Sequence, residues 1–288
     1  MTLSIVIPAH NCERYVTTCL MSVVRVFSQT SGMPWTSVEV IVVDDGSNDG
    51  TGSVIRQFFT ENQHCGIIAW KLLSISHGGV VIARQEGVRK AAGDYIWFVD
   101  ADDEVLAVPV ASQWGDLVRF RQEYGWMCVG DVVYSRQIIL EAFCMIGRWR
   151  LKHGEDGLMQ LAALKVARSV YLEDKQIYRY IKREGSSSNV LNSDIVAEKE
   201  IYVNVALELG VKSTRGQMSK EACVFIATSL FRWPASYGQI KRVARDLIMS
   251  RLAKDGRECI KKDWYARKLM FAMKHPFIVL IYRFLHRA

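Results

Sequence analysis

The first hundred residues alternate between short apolar runs and longer segments whose apolar residues recur every three or four positions. The apolar runs predict strands at residues 3–8, 38–43, 67–75 and 95–99. The segments between them predict helices at residues 13–28, 49–60 and 79–92. Strands that recur about every 30 residues with a helix between them are typical of βαβ units. We therefore expect an α/β fold with a mostly parallel, Rossmann-like central sheet flanked by helices.

The pattern is weaker after residue 103. Helices are predicted at residues 114–124, 136–146 and 155–167, and strands at 127–133, 170–172 and 177–181. From about residue 192 the chain predicts helices as far as its end. The fold expected from this pattern is an α/β domain with a helical C-terminal extension.

Composition limits the class of protein more than it identifies it. Half of the 288 residues are hydrophobic and 23% are charged, which is typical of a globular chain. Seven cysteines without a C-x-x-C pair argue against a disulfide framework or a zinc site, and indicate a reducing compartment. There is no basic leader segment, and no run approaches the roughly 20 apolar residues that span a bilayer. We expect a cytoplasmic protein that is soluble or lies on a membrane surface.

The net charge of +7 fits a nucleic acid, an anionic membrane or an anionic substrate, and does not choose among them. Residues 261–288 interleave aromatic residues with lysines and arginines, a composition typical of a helix on an anionic bilayer. The alternative is a helix that packs its aromatic side chains on the domain. No segment resembles a nucleic-acid recognition motif, so we expect no nucleic acid partner.

Two acidic clusters follow the second and fourth predicted strands, at Asp44-Asp45 and at residues 100–103. In an open α/β sheet, ligands bind outside the carboxyl ends of the strands, and crowded carboxylates there repel one another unless a cation offsets them. Asp100 and Asp102 are two residues apart, so in an extended segment both face one cation. Oxygen ligands favour Mg²⁺ or Mn²⁺ shared with substrate phosphates. The alternative for either cluster is an ordinary solvated turn.

Several motifs together resemble the family 2 glycosyltransferases with a GT-A fold. The resemblance is carried by residues 5–11, 42–47 and 83–103, and it resumes at residues 154–156, 178–180 and 183–189. It implies an inverting transfer of a sugar from a nucleotide-diphosphate donor, with a UDP-sugar favoured. The implied acceptor is a hydroxyl of a glycan or lipid-linked molecule in surface polysaccharide synthesis, on the cytoplasmic face of the inner membrane.

The resemblance also implies roles for individual residues. The nucleotide would be bound by Pro8, Ala9, His10, Asn11, Asp44, Asp45, Arg84, Asp100 and Ala101. Within that set, the two aspartates after the second strand would read the base, and Arg84 would lie near the ribose or diphosphate. Asp102 would be the principal metal ligand, with Asp100 sharing the Mn²⁺ or Mg²⁺ or positioning the ribose.

Two further pairs complete the predicted site. Asp156, in the pair Glu155-Asp156, would be the general base that takes the proton of the acceptor hydroxyl. The alternative is that both acids open a helix, where the dipole favours negative charge. Lys182 and Arg183 would hold the diphosphate, or would form an exposed basic turn.

The expected organisation has a nucleotide-sugar-binding half at residues 1–104, an acceptor and catalytic half at 105–190, and the helical region at 191–288. Only about 50 residues separate Asp103 from Glu155, fewer than the resemblance implies. An alternative is therefore a sugar-nucleotide-binding protein without transferase activity. A nucleotidyltransferase is a second alternative, although residues 9–14 do not provide its basic phosphate loop.

Overall fold

The computed structural model describes residues 1–62, 68–121, 128–146 and 155–183. All of them belong to the first of two compact units of the chain, Met1–Ser186. The predicted helical region at 191–288 and the motif residues beyond Arg183 lie outside the described residues.

The described elements alternate between strands and helices in the first hundred residues. The strands are β1 Thr2–Ala9, β2 Ser37–Asp45, β3 Ile68–Ile75, β4 Tyr95–Phe98, β5 Glu104–Val105, β6 Leu117–Phe120, β7 Val132–Ser135, β8 Val170–Glu173 and β9 Tyr178–Arg179. The α-helices are α1 Val16–Gln29, α2 Thr51–Glu61, α3 Val80–Lys90, α4 Arg136–Ile146 and α5 Glu155–Val166, and a 3-10 turn spans Val129–Asp131.

Seven strands form one sheet in the order β3-β2-β1-β4-β7-β6-β8. The four strands β3, β2, β1 and β4 are mutually parallel. Strand β7 is antiparallel to both β4 and β6, while β8 is parallel to β6. Strands β5 and β9 pair separately as an antiparallel ribbon. The expectation of a mostly parallel central sheet is confirmed.

Helices cover both faces of the parallel strands. Leu3, Ile5 and Ile7 of β1 are buried in one cluster with the apolar face of α1. Val6 points to the other face, towards α3, because successive strand residues alternate sides. There Gly87 lets α3 approach closely: a Cβ on it would collide with Val6. The helix therefore lies directly on β1 and β2.

The predicted strands and helices of the first hundred residues are confirmed, as are α4 and α5. The helix predicted at residues 114–124 is wrong, because the chain forms β6 there. Leu117, Val118 and Phe120 are buried, and β6 lies between β7 and β8, so sheet pairing overrides the local pattern. The strand predicted at 127–133 is the 3-10 turn followed by β7. No helix in the described part of the chain is long and apolar enough to cross a membrane.

Candidate active site

The carboxyl ends of the four parallel strands meet at one edge of the sheet. Ala9 is in register with Asp44, Asp45 with Ile75, and Val6 with Phe98. Parallel pairing therefore brings both predicted acidic clusters to the same edge, as expected.

Residues predicted to bind the nucleotide lie along this edge. Pro8 and Ala9 end β1 and are buried, whereas His10 and Asn11 follow the strand and are exposed. Asp44 and Asp45 end β2. Arg84 lies on α3, Asp100, Ala101 and Asp102 follow β4, Glu155 and Asp156 open α5, and Lys182 and Arg183 follow β9.

Asp45 is bound to the protein itself. Its side chain is only 3% exposed, and its two carboxylate oxygens accept the backbone N–H groups of Gly78 at 2.7 Å and Gly79 at 2.8 Å. Gly46 makes the turn possible, because it has φ +65° and a Cβ there would lie 2.8 Å from the backbone nitrogen of His77. Asp45 thus joins the end of β2 to the start of α3, and its role in reading a base stays a prediction.

Two histidine rings stack beside Asp45. The ring centroids of His10 and His77 are 4.3 Å apart, and their Nδ1 atoms lie 2.7 Å and 3.1 Å from the backbone oxygen of Asp45. Potential ligand atoms of the three residues lie within 4.8 Å of one another, close enough to hold a metal ion.

Protein groups occupy both ring nitrogens of His10. Asn11 Oδ1 accepts the backbone N–H of Asn48 at 2.8 Å, which turns the Asn11 amide nitrogen towards His10 Nε2 at 3.3 Å. His10 Nε2 therefore accepts a proton bond and Nδ1 carries the hydrogen that is donated to Asp45. In this tautomer Nδ1 has no free lone pair, and a metal at Nε2 would have to displace the Asn11 amide.

At the end of β4, three carboxylates share one buried guanidinium. The side chain of Arg84 is 2% exposed. Its Nη2 donates to Asp100 Oδ1 at 2.7 Å, while its Nη1 pairs with Asp156 Oδ1 and lies 3.5 Å from Glu155 Oε1. One arginine therefore connects α3, the end of β4 and the first turn of α5.

This cluster holds more negative than positive charge. Burial alone would lower the pKa of Arg84, but the carboxylates of Asp156, Asp100 and Glu155 raise it above its usual value. Burial, and then the charge of Asp156, raise the pKa of Glu155 to about 8. Burial also raises the pKa of Asp100 to about 6. At neutral pH Glu155 is therefore mostly protonated, and Arg84 is charged.

Asp102 and Asp103 have opposite surroundings. Asp103 is buried, and its carboxylate accepts the Tyr178 hydroxyl and the backbone N–H of Ile181, the latter at 2.8 Å. Burial, and then the charge of Asp100, raise the pKa of Asp103 to about 8. The side chain of Asp102, by contrast, is 49% exposed. Asp103 fixes the chain near β9, and Asp102 faces the solvent.

Arg183 lies against Asp102. Its guanidinium donates to the backbone oxygen of Asp102, and its Nη1 lies 3.6 Å from Asp102 Oδ2. The same guanidinium lies 3.7 Å above the ring centroid of Tyr15, a cation–π contact. Lys182, its neighbour, is exposed. A cationic group thus reaches the carboxylate that was predicted as the principal metal ligand.

Sequence reasoning did not predict the contacts that Tyr178 and Tyr15 make in the site. Tyr178 comes 75 residues after Asp103, and Tyr15 precedes α1. Their contacts arise from tertiary pairing, of β9 with β5 in the first case. Tyr178 belongs to the motif segment 178–180, but that motif does not specify Asp103 as its partner.

Asp100 and Asp102 fit a hard divalent cation. Both supply carboxylate oxygens, the ligands that Mg²⁺ and Mn²⁺ prefer, and half of the Asp102 side chain is open to solvent. Within residues 1–62, 68–121, 128–146 and 155–183, no third metal-ligating side chain completes a group with them. An ion there would take its remaining ligands from substrate phosphates and water.

Comparison with known proteins finds similarities mainly in the first part of the chain. Residues 4–108 match the family described as Glycosyl transferase family 2. The chain is 26% identical over 233 residues to the glycosyltransferase GlyA of Streptococcus pneumoniae, which covers 65% of this chain and 32% of GlyA. It is 35% identical over 105 residues to a poly(ribitol-phosphate) beta-glucosyltransferase of Bacillus spizizenii, covering 36% of this chain and 15% of that protein.

Solved structures share the fold. Staphylococcus aureus TarS 1-349 in complex with UDP-GlcNAc matches with a TM-score of 0.61 and 18% identity, over 96% of this chain and 92% of that one. The mannosyltransferase PcManGT of Pyrobaculum calidifontis, in complex with GDP-Man and Mn²⁺, matches with a TM-score of 0.55 and 14% identity, over 99% and 87%.

The fold is therefore that of the GT-A transferases. The match to the family 2 glycosyltransferases is confined to residues 4–108. It spans about a third or less of the curated relatives named above.

Proposed function

We propose that the chain is an inverting glycosyltransferase that moves a sugar from a nucleoside-diphosphate donor, a UDP-sugar by preference, to an acceptor hydroxyl. One observation carries the proposal: the fold brings the exposed Asp102 and the helix-opening Asp156 to one sheet edge, with Arg84 between Asp156 and Asp100. Those are the two groups that such a transfer needs, one at the donor diphosphate and one at the acceptor hydroxyl.

The donor would lie along the edge from β1 to β4. The exposed His10 and Asn11, together with Asp44, are in position to contact the base and ribose. TarS binds UDP-GlcNAc and PcManGT binds GDP-Man with Mn²⁺ on the same fold, which supports a nucleotide-sugar donor here. Asp102 and Asp100 would hold Mn²⁺ or Mg²⁺. When bound, that ion would offset the charge of the departing diphosphate.

Asp156 would take the proton of the acceptor hydroxyl. One of its oxygens pairs with Arg84 while its side chain is 31% exposed, so the other oxygen can face an incoming hydroxyl. Glu155 beside it is mostly protonated at neutral pH because burial raises its pKa, so it is not the base. A direct displacement needs one base and no covalent sugar intermediate, and it inverts the anomeric centre.

The acceptor would be a glycan or lipid-linked molecule in surface polysaccharide synthesis. The similarity to a poly(ribitol-phosphate) glucosyltransferase supports a polyhydroxylated surface polymer as the class of acceptor. We propose that residues 1–104 bind the donor, that residues 105–190 meet the acceptor, and that the basic segment 261–288 brings the enzyme to the cytoplasmic face of an anionic membrane.

A panel of nucleoside diphosphates and sugar nucleotides, with and without Mn²⁺, tests the proposal by thermal unfolding. Ligands that bind the native state raise its apparent stability, so one nucleotide should raise the melting temperature only with Mn²⁺. Slow Mn²⁺-dependent hydrolysis of the matching donor should follow. Binding without hydrolysis, or without transfer to any acceptor, would instead favour a sugar-nucleotide-binding protein, and no binding at all would overturn the donor site.

A further inference from the structure

We propose that Arg84 is a positioning residue that holds Asp156 against the end of β4, and not a contact to the donor ribose or diphosphate. The inference rests on the proposed function, since Asp156 is the proposed base. It replaces the role that the sequence motif predicted for this arginine.

Arg84 is placed too deeply to meet a donor. Its side chain is 2% exposed, whereas Asp100 and Asp156 on either side of it are 27% and 31% exposed. Both terminal nitrogens already donate to protein carboxylates, with Nη2 on Asp100 and Nη1 on Asp156 and Glu155. An arginine that grips a diphosphate needs terminal N–H groups that face the ligand.

The backbone explains why the arginine reaches this position. Gly87 lies one turn after Arg84 on the same face of α3 and allows that helix to lie directly on Val6 and Val43. The guanidinium carbon then lies 6.0 Å from the ring centroid of Phe98, the last residue of β4. The Arg84 side chain thus extends past the end of β4 towards Asp100 and Asp156.

The two ends of the guanidinium serve two different elements. Nη2 holds Asp100 after β4, and Nη1 holds the first turn of α5 through Asp156. A planar fork with fixed donor directions can orient two carboxylates at once, which the single ammonium of a lysine cannot. Because a base misplaced by about 1 Å can cost about 10²-fold in rate, this bridge sets the geometry of the reaction.

Kinetics of donor hydrolysis would separate this role from donor binding. Two quantities are measured for the wild type, Arg84→Lys and Arg84→Met. Calorimetry gives the dissociation constant of UDP with Mn²⁺, and a hydrolysis assay gives the turnover number for the UDP-sugar. We expect the dissociation constant to stay within about twofold, while turnover falls about tenfold for Arg84→Lys and about 10²-fold for Arg84→Met. Arg89→Met, an exposed arginine on the same helix, is the matched control and should change neither.

A double-mutant cycle tests whether Arg84 acts through Asp156. In an Asp156→Asn background, Arg84→Lys should lower turnover by less than about twofold, because the group that it positions is already lost. A full tenfold loss in that background, or a rise of more than about tenfold in the UDP dissociation constant with turnover unchanged, would overturn the proposal.

Hydrogen exchange gives a readout that does not depend on turnover. In the 288-residue protein without ligand, Arg84→Lys should speed amide exchange at the start of α5, and Arg89→Met should not. Arg84→Met leaves Asp100 and Asp156 without their counter-ion, so the folding of this variant is checked by circular dichroism. If Arg84→Met unfolds, Arg84→Lys alone carries the test. Failure of the wild type to bind any nucleotide of the panel would refute the proposed function, whereas unchanged exchange in Arg84→Lys would refute the role of Arg84.

Discussion

The acidic clusters after β2 and after β4 differ in what stabilises their buried carboxylates. After β2, the oxygens of Asp45 accept the N–H groups of Gly78 and Gly79, and the Nδ1 atoms of the neighbouring His10 and His77 lie against its backbone oxygen. After β4, several carboxylates compete for Arg84, and burial raises the pKa of Glu155 and of Asp100. One end is satisfied by neutral backbone donors, and the other is short of positive charge.

That difference suggests a structural role for the cluster after β2 and a ligand-binding role for the cluster after β4. A carboxylate satisfied by backbone amides holds a loop and gains little from a cation. A crowded set of carboxylates beside an exposed one gains from any divalent ion, because the ion offsets repulsion that the protein leaves unbalanced. Two sequence clusters that look alike are therefore predicted to respond differently to substitution: the first through folding, the second through ligand binding.

The largest effect is expected at Asp102, the exposed member of the second cluster. Asp102→Ala removes the proposed metal ligand, whose side chain is half exposed, so we expect the Mn²⁺-dependent affinity for UDP to fall by about 10²-fold or more. The unfolding midpoint of the free protein should stay the same or rise, since a like charge has been removed. Calorimetry with UDP and Mn²⁺, and thermal unfolding without them, measure the two quantities.

Asp174→Ala is the matched control for Asp102, because Asp174 is an exposed carboxylate, 87% accessible, on a surface ion pair with Arg121. It should leave UDP affinity and its Mn²⁺ dependence unchanged. Equal losses in both variants would mean that general surface charge, and not a metal site, attracts the nucleotide.

Asp45 is expected to give the next largest effect, and in folding instead of binding. Asp45→Ala leaves the N–H groups of Gly78 and Gly79 without their acceptor, which should lower the free energy of unfolding by about 2–3 kcal/mol. Asp44→Ala removes one acceptor, for the N–H of Ser47 at 3.1 Å, and should cost about 1 kcal/mol or less. Urea denaturation compares them, and similar losses would contradict the special position of Asp45.

Much of the fold could be predicted because its signals are local. Apolar runs and helical spacing located β1 to β4 and α1 to α3, and parallel pairing brought their acidic ends together. The error at residues 114–124 has a physical cause: β6 has four residues, too few to show a period, and its pairing with β7 and β8 decides its structure. Local patterns cannot report that pairing.

The candidate site was predicted by residue type but not by role. The spacing of Asp100 and Asp102 predicts a cation site, but it does not show that Asp103 is buried against Tyr178, 75 residues later. Nor does it show that Arg84 lies inside the cluster. Burial decides both of these outcomes, and burial depends on how α3 and β9 pack, which no spacing along the chain encodes.

A smaller, pH-dependent effect is expected at Glu155. Burial raises the pKa of Glu155 in the folded protein from its usual 4.5 to about 8. The unfolded chain therefore loses this proton near pH 4.5 and the folded protein only near pH 8, so the carboxyl destabilises the fold progressively across that range. Below pH 4.5 both states are protonated and the penalty is absent. Glu155→Gln should remove it.

Glu155→Gln should raise the free energy of unfolding above that of the wild type, by about 2 kcal/mol more at pH 8 than at pH 5. This is less than the pKa shift alone would give, because water screens the partly exposed neighbouring acids. Urea denaturation at both pH values, in metal-free buffer, measures it. Glu141→Gln, an exposed carboxylate on α4, provides the matched control. If the gain in the free energy of unfolding did not depend on pH, Glu155 would not be the carboxyl group whose pKa burial raises.

The smallest effect is expected at Arg183. This arginine already offsets part of the negative charge of Asp102, so the shortage of positive charge is least there. When a donor binds, its diphosphate would compete for the same guanidinium, so Arg183→Met should weaken UDP binding with Mn²⁺ by about fivefold, one charge-assisted contact. Arg121→Met, an exposed arginine, should change nothing. Tighter binding in Arg183→Met would have the opposite meaning: the arginine would then be a competitor of the metal at Asp102, and the contact to Tyr15 would serve only to hold it there.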